Sequence, residues 1–151
     1  MEPLTVAGTL DSLSEIAKYV MAAAAAAGLD KKTSYKLRLA VDEIATNIIV
    51  HGYEEAGREG IVVCQATLAD ESLTITLEDT GEHYDPTKQA LPDDMDLPLE
   101  QRQIGGLGVY LTIQGVDKFT YERVGARNRN IFVVNRIPST ASGTVQSSTS
   151  K

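Results

Sequence analysis

The apolar positions of the chain change period partway along it, from helical spacing to alternation. Between Leu37 and Tyr53 each helical residue advances by roughly 100°, which puts Leu37, Val41, Ile44 and Ile48 on one stripe facing a core. Upstream, Leu13, Ile16 and Val20 mark the buried face of another helix, which Asp11 or Ser12 can cap and which runs through an alanine-rich stretch to Ala27. Gly28 supplies its stop. Thr33 is the expected cap of the following helix, and Gly52 its expected end. Leu4 to Val6 reads as a short first strand. Ile61 to Leu68 and Leu73 to Leu77 are apolar or alternating runs joined by Ala69-Asp70-Glu71-Ser72, which predicts a hairpin. Lys118 to Val124 and Asn130 to Arg136 predict a second one around a turn at 125–129. Between the hairpins, residues 84–103 carry three prolines and no period, so they read as a long loop before a short helix at 109–114. From Pro138 the chain is small and polar, the composition of a disordered tail.

Helices gathered on one side of a mostly antiparallel sheet make an α+β fold, a two-layer sandwich. The expected organisation is one ordered domain over residues 1–137 and a tail over 138–151. A chain of 151 residues with 42% apolar residues supports one core of ordinary size. A net charge of −7 without a Lys/Arg cluster argues against a phosphate-backbone footprint, and so against direct nucleic-acid binding. The single cysteine, Cys64, lies in an apolar run and reads as a buried strand residue in a reducing compartment. No signal peptide is visible, and the apolar run Met21 to Ala27 is too short to span a bilayer, so a cytoplasmic location without membrane attachment is expected.

The polar positions carry the candidate chemistry. Glu43, Asn47 and His51 fall at i, i+4 and i+8, on a stripe beside the apolar one. An amide oxygen such as that of Asn47 can ligate Mg²⁺, and a carboxylate such as that of Glu43 can accept a proton from a hydroxyl. The period of two places Asp79 on the inward face with Leu73, Ile75 and Leu77. A buried acid needs a donor, so Asp79 either forms a turn with Thr80 and Gly81 or awaits a donor on a ligand, such as the exocyclic amine of adenine. Gly105-Gly106-Leu107-Gly108 opens the short helix after the long loop. It is either a plain loop-to-helix turn or a phosphate cradle built from backbone N–H groups. Together these parts describe a Mg-nucleotide site, although neither a P-loop nor an H-R-D/D-F-G set is present.

The helix motif Glu43, Asn47 and His51, the D-x-G of Asp79-Thr80-Gly81 and the G-x-G of Gly106-Leu107-Gly108 resemble the GHKL ATPase superfamily of histidine kinases, gyrases and related proteins. The stretches NIIVHGY from Asn47, DTGEHYDP from Asp79 and LPLEQRQIGGLGVYL from Leu97 are similar to the anti-sigma-factor serine/threonine kinases, the RsbW-like branch. That resemblance implies ATP and Mg²⁺ as cofactors. It implies Glu43 as general base, Asn47 as Mg²⁺ ligand, Asp79 on the adenine amine and Gly81 where the base approaches the backbone. Gly106, Leu107 and Gly108 would wrap the phosphates. His51 either joins the site or closes the helix, and Arg102 either reaches a phosphate or is a solvated loop residue.

Read as a member of that branch, the chain is expected to be a serine/threonine protein kinase. It would phosphorylate a STAS-domain anti-anti-sigma protein, hold a sigma factor or equivalent regulator in a partner-switching cycle, and form a homodimer. The first helix contains no histidine, so the phospho-acceptor must lie on another protein. The alternatives are a non-catalytic nucleotide-binding module that only sequesters a regulator, and a free ATPase that passes the phosphate to water.

Overall fold

The computed structural model describes residues 1–88 and 113–137. Its five strands are β1 (Leu4–Ala7), β2 (Ile61–Leu68), β3 (Ser72–Asp79), β4 (Lys118–Val124) and β5 (Arg127–Asn135). They lie in the order β1-β2-β3-β5-β4, every neighbouring pair antiparallel. Two helices, α1 (Leu13–Ala26) and α2 (Lys31–Asn47), pack on each other and on one face of the sheet.

The alternation expected of β2 and β3 sets which side chains meet the helices. Val62, Cys64 and Ala66 of β2, and Leu73, Ile75 and Leu77 of β3, are buried with Phe132 and Val134 of β5. Against them lie Ile16 and Val20 of α1, and Leu37, Val41 and Ile44 of α2. Ala23 of α1 and Ala40 of α2 are fully buried, and small side chains of this kind let packed helices approach closely. Gly28, with φ +77°, takes the left-handed conformation that ends α1. Arg136 then ties the end of β5 to this corner: its Nε donates to the Ala27 carbonyl at 2.8 Å and its Nη1 to that of Ala69 at 2.7 Å.

Ser12 precedes α1 but makes no side-chain capping hydrogen bond, and local details depart from the expectation at three further places. The cap of α2 is Asp30, whose Oδ1 accepts from the Thr33 backbone N–H at 2.7 Å; Thr33 is the donor. The α-helical turns stop at Asn47, and Ile48–Glu54 continue as a π-helical segment. Glu55 N–H donates to the Val50 carbonyl at 2.8 Å, and Arg58 N–H to that of Tyr53 at 2.9 Å, both five residues back. The turn expected at 125–129 is tighter: Val124 pairs with Arg127, and Gly125, with φ +62°, opens a two-residue loop. The helix expected at 109–114 and the tail at 138–151 fall wholly or largely outside the described residues.

Candidate nucleotide site

The site is built where the π-helical segment meets the end of β3. Tyr53, 1% exposed, packs against Gly8 and Gly60, where an added Cβ would come within 2.5 Å and 2.8 Å of its ring. Its hydroxyl donates to the Ile61 carbonyl at 2.6 Å and accepts from the Thr80 N–H at 3.0 Å. One residue earlier, the Gly52 carbonyl accepts from the Glu82 N–H at 2.9 Å. Gly81 fits beneath that contact because it has no side chain: a Cβ there would stand 2.8 Å from the Gly52 oxygen and 3.1 Å from Asp79 Oδ1. The segment after Asn47 and the loop after Asp79 are thereby fixed to each other.

Asp79 is 3% exposed. Its Oδ1 accepts from the Gly81 N–H at 2.8 Å and from Asn128 Nδ2 at 3.0 Å, while Oδ2 is buried without a partner. The two readings of Asp79, turn-former or ligand acceptor, are therefore divided between its two oxygens. Burial pushes its carboxyl above the usual carboxylate range; the donors on Asn128 and Gly81, and the charge of Arg123, pull it back. Asn47 is also buried, and its Nδ2 has no hydrogen-bond partner. One turn earlier Glu43 is half-buried, and loss of water raises its pKa, with the Asn47 amide drawing it down and Asp42 adding to the rise. Asn130 of β5, 1% exposed, has both amide atoms unpartnered. Buried polar groups left open in this way are uncommon in native proteins and point to a ligand, water or ion.

His51 lies in the π-helical segment that follows Asn47. Its Nδ1 meets Glu55 Oε1 at 2.8 Å, and its ring stacks on Tyr84 with centroids 5.0 Å apart. Tyr84, half-buried, has its hydroxyl pKa raised by burial and by the negative charges of Glu43 and Glu55. Arg102, Gly106, Leu107 and Gly108 lie outside the described residues.

Asn128, Asn130, Tyr53 and Tyr84 were given no role by the sequence reading. A signal was present for two of them: Asn128 and Asn130 are spaced by two before an apolar run, the parity of an inward strand face.

A groove of about 500 Å³ crosses the outer face of the sheet, lined by residues including Gln65, Thr76, Glu78 and Arg129. Its charges are already satisfied, Arg129 Nε meeting Glu78 Oε2 at 2.6 Å. Among the described residues, the buried polar atoms without partners belong to Asn47, Asp79 and Asn130, so the chemistry favours the inner face. No cluster of three or more His, Cys, Asp or Glu is placed to hold a metal among the described residues. Mg²⁺ beside nucleotide phosphates needs only one or two protein oxygens, and Asn47 and Glu43 carry oxygens of that kind.

An antiparallel sheet with two helices on one face, and buried polar atoms without partners where a helix end meets a strand end, defines the class as an α+β domain with a candidate polar ligand site. The family profile of the histidine kinase-like ATPase domain matches residues 6–133, and the chain belongs to that family. Serine-protein kinase RsbW of Staphylococcus aureus strain RF122 is 30% identical over 86 residues, covering 55% of this chain and 54% of that protein; its counterpart in strain MRSA252 matches equally. The matched region thus spans about half the length of these relatives. Among solved structures, the histidine kinase domain of the blue-light activated histidine kinase from Erythrobacter litoralis superposes with a TM-score of 0.50 at 20% identity, covering 81% of this chain and 63% of that one. The fold is that of the histidine-kinase-like ATPases.

Proposed function

We propose that this chain is an ATP- and Mg²⁺-dependent serine/threonine protein kinase of anti-sigma type. It phosphorylates a STAS-domain anti-anti-sigma protein and, in the other half of its cycle, holds a sigma factor or equivalent regulator. The observation that carries this reading is a half-buried Glu43 of raised pKa one turn before the buried Asn47, with the open acceptor Asp79 Oδ2 on the neighbouring strand end. Similarity to the serine-protein kinases RsbW supports the choice of serine chemistry.

In this mechanism Asp79 Oδ2 accepts from the adenine amine, with Gly81 keeping the backbone clear where the base lies. Asn47 offers its amide oxygen to Mg²⁺, and Gly106, Leu107 and Gly108, with Arg102, hold the phosphates. Bound Mg-ATP supplies the transferable phosphoryl group and neutralises phosphate charge. Glu43 accepts the proton of the seryl hydroxyl, and its raised pKa brings it closer to the pH at which a base both stays ionised and takes a proton well. His51 acts one step back, holding Tyr84 beside Glu43. Catalysis of this kind rests on positioning and charge stabilisation. The net charge of −7 disfavours retention of a product that has gained about −1.5 to −2 charge, which suits release. The protein acts in the cytoplasm, as a homodimer.

The test is the intact mass of a STAS-domain protein from the same genome after incubation with this protein and Mg-ATP. Glu43→Ala and ATP-free samples serve as controls. A gain of one phosphate, about 80 Da, absent from both controls, is expected. Nucleotide-dependent complex formation without any mass gain would overturn the kinase and establish the sequestering module instead.

A further inference from the structure

Asn128 stands directly opposite Asp79 in the β3–β5 register and is 2% exposed. Its Nδ2 donates to Asp79 Oδ1 at 3.0 Å, to the Glu82 carbonyl at 3.1 Å and to the Gly81 carbonyl at 3.3 Å. Its Oδ1 accepts from Arg123 Nη1 at 3.0 Å and from the Tyr121 hydroxyl. The amide has one orientation that fits: the guanidinium can only donate, so oxygen must face it, and the two carbonyls can only accept, so the NH₂ must face them. Asn128 is thus fixed from β4 on one side, and it fixes both Asp79 and the 81–82 backbone on the other.

From this arrangement we infer that Asn128 is a positioning residue that sets nucleobase selectivity, making the site choose a 6-aminopurine over a 6-oxopurine. The inference rests on the adenine-nucleotide reading of Asp79. A carboxylate free to turn about its last torsion, which is broad and roughly two-fold, presents either oxygen to a ligand. One that takes up a proton in a buried setting becomes a donor and can serve a 6-oxo group as well as an amine. Asn128 opposes both outcomes. Together with the Gly81 N–H it holds Oδ1 and leaves Oδ2 as the open acceptor, and by donating to the carboxylate it favours the ionised form. An ionised Oδ2 meeting the carbonyl oxygen of a 6-oxopurine has no proton to share, and a site with an unpaired buried polar group rejects such a ligand.

The test compares the dissociation constants of ATP and ITP, each with Mg²⁺, for the full chain and for Asn128→Asp and Arg123→Met, with thermal melting as the check on folding. Asn128→Asp keeps the size of the side chain and its acceptor toward Tyr121 and Arg123, but puts an oxygen against Asp79 and the two carbonyls. The unsubstituted protein should prefer ATP by about tenfold to a hundredfold, the worth of one hydrogen bond to a charged group. In Asn128→Asp the two constants should come within about threefold of each other, with that for ITP nearly unchanged. A folded variant that keeps the full preference, or weakens ATP and ITP equally, overturns the inference, because a merely structural role moves both alike. Should Asn128→Asp fail to fold, Arg123→Met must lower the preference by at least about threefold, and an unchanged ratio there overturns it too. An unsubstituted protein without preference for ATP sinks the adenine reading itself, a separate result.

Discussion

Replacing Asp79 by asparagine should abolish ATP binding and, at neutral pH, make the ligand-free protein more stable. The ionised carboxylate carries two opposed contributions. Its Oδ1 receives two hydrogen bonds, from the Gly81 N–H and from Asn128 Nδ2. An asparagine whose carbonyl takes the place of Oδ1 keeps both as neutral bonds, each about 1 kcal/mol weaker than a bond to a charged group, a loss of about 2 kcal/mol. Against this, an effective desolvation penalty of several kcal/mol per buried ion disappears. The asparagine Nδ2 in the partnerless Oδ2 place costs about 1–3 kcal/mol, less than the ion it replaces, and burial raises the Asp79 carboxyl despite its donors, so the balance should tip toward the variant by no more than about 1–2 kcal/mol. For a domain of this size that is a rise of about 2–8 °C in Tm.

The pH dependence has a fixed sign. A folded-state carboxyl pKa above its unfolded value means that the folded protein binds more protons between the two, so the stability of the natural protein falls as pH rises through that window. Below the unfolded value, near about 4, Asp79 is protonated in both states and the advantage of the variant should shrink. Differential scanning calorimetry of both proteins from pH 4 to 8, with ATP titration at neutral pH, measures all of this. A variant less stable by more than about 1 kcal/mol at pH 7, or a difference independent of pH, would refute the desolvation argument.

Two further substitutions test other parts of the site. Gly81→Ala puts a Cβ 2.8 Å from the Gly52 carbonyl oxygen and 3.0 Å from its carbon, so backbone must give way; the cost should be about 1–3 kcal/mol by denaturant melts, with ATP affinity lowered, and an unchanged midpoint would show that this corner is not tightly packed. The acid limb of the pH profile of kcat/KM for phosphotransfer should lie above the ordinary glutamate value of about 4.3, since burial raises Glu43, and should vanish in residual Glu43→Gln activity. A limb at the ordinary value would remove Glu43 as the titrating base.

The proposed roles differ in how directly the chain exposes them. Glu43 and Asn47 are one helical turn apart, and their placement beside the apolar stripe follows from local periodicity alone. Asp79 was legible as an inward acid for a similar reason: parity along β3 fixes which face it takes. Its division of labour was not legible, because one oxygen is held by a residue 49 positions away. The helix type after Asn47 shows the limit of periodicity. The segment after Asn47 widens to π-helical turns, and nothing in the order of residues Ile48 to Glu54 announces that change. The contacts that accompany the widening, Tyr53 to Ile61 and Thr80 and Gly52 to Glu82, join parts of the chain that meet only in the folded domain.

The sequence by itself determined the two helices, both hairpins, the inward set of β2 and β3 and the three motifs that tie the chain to its family. Each of these depends on which face of its own element a residue occupies, and burial on one face writes itself into local spacing. Only the tertiary structure decided that β5 lies between β3 and β4, and with it that Asn128 meets Asp79 on one side and Arg123 on the other. It likewise decided that Tyr53 locks the helix end to the Asp79 loop. Strand order and cross-chain hydrogen bonds are fixed by how the elements assemble, and residues 49 apart leave no common period by which one could be read from the other.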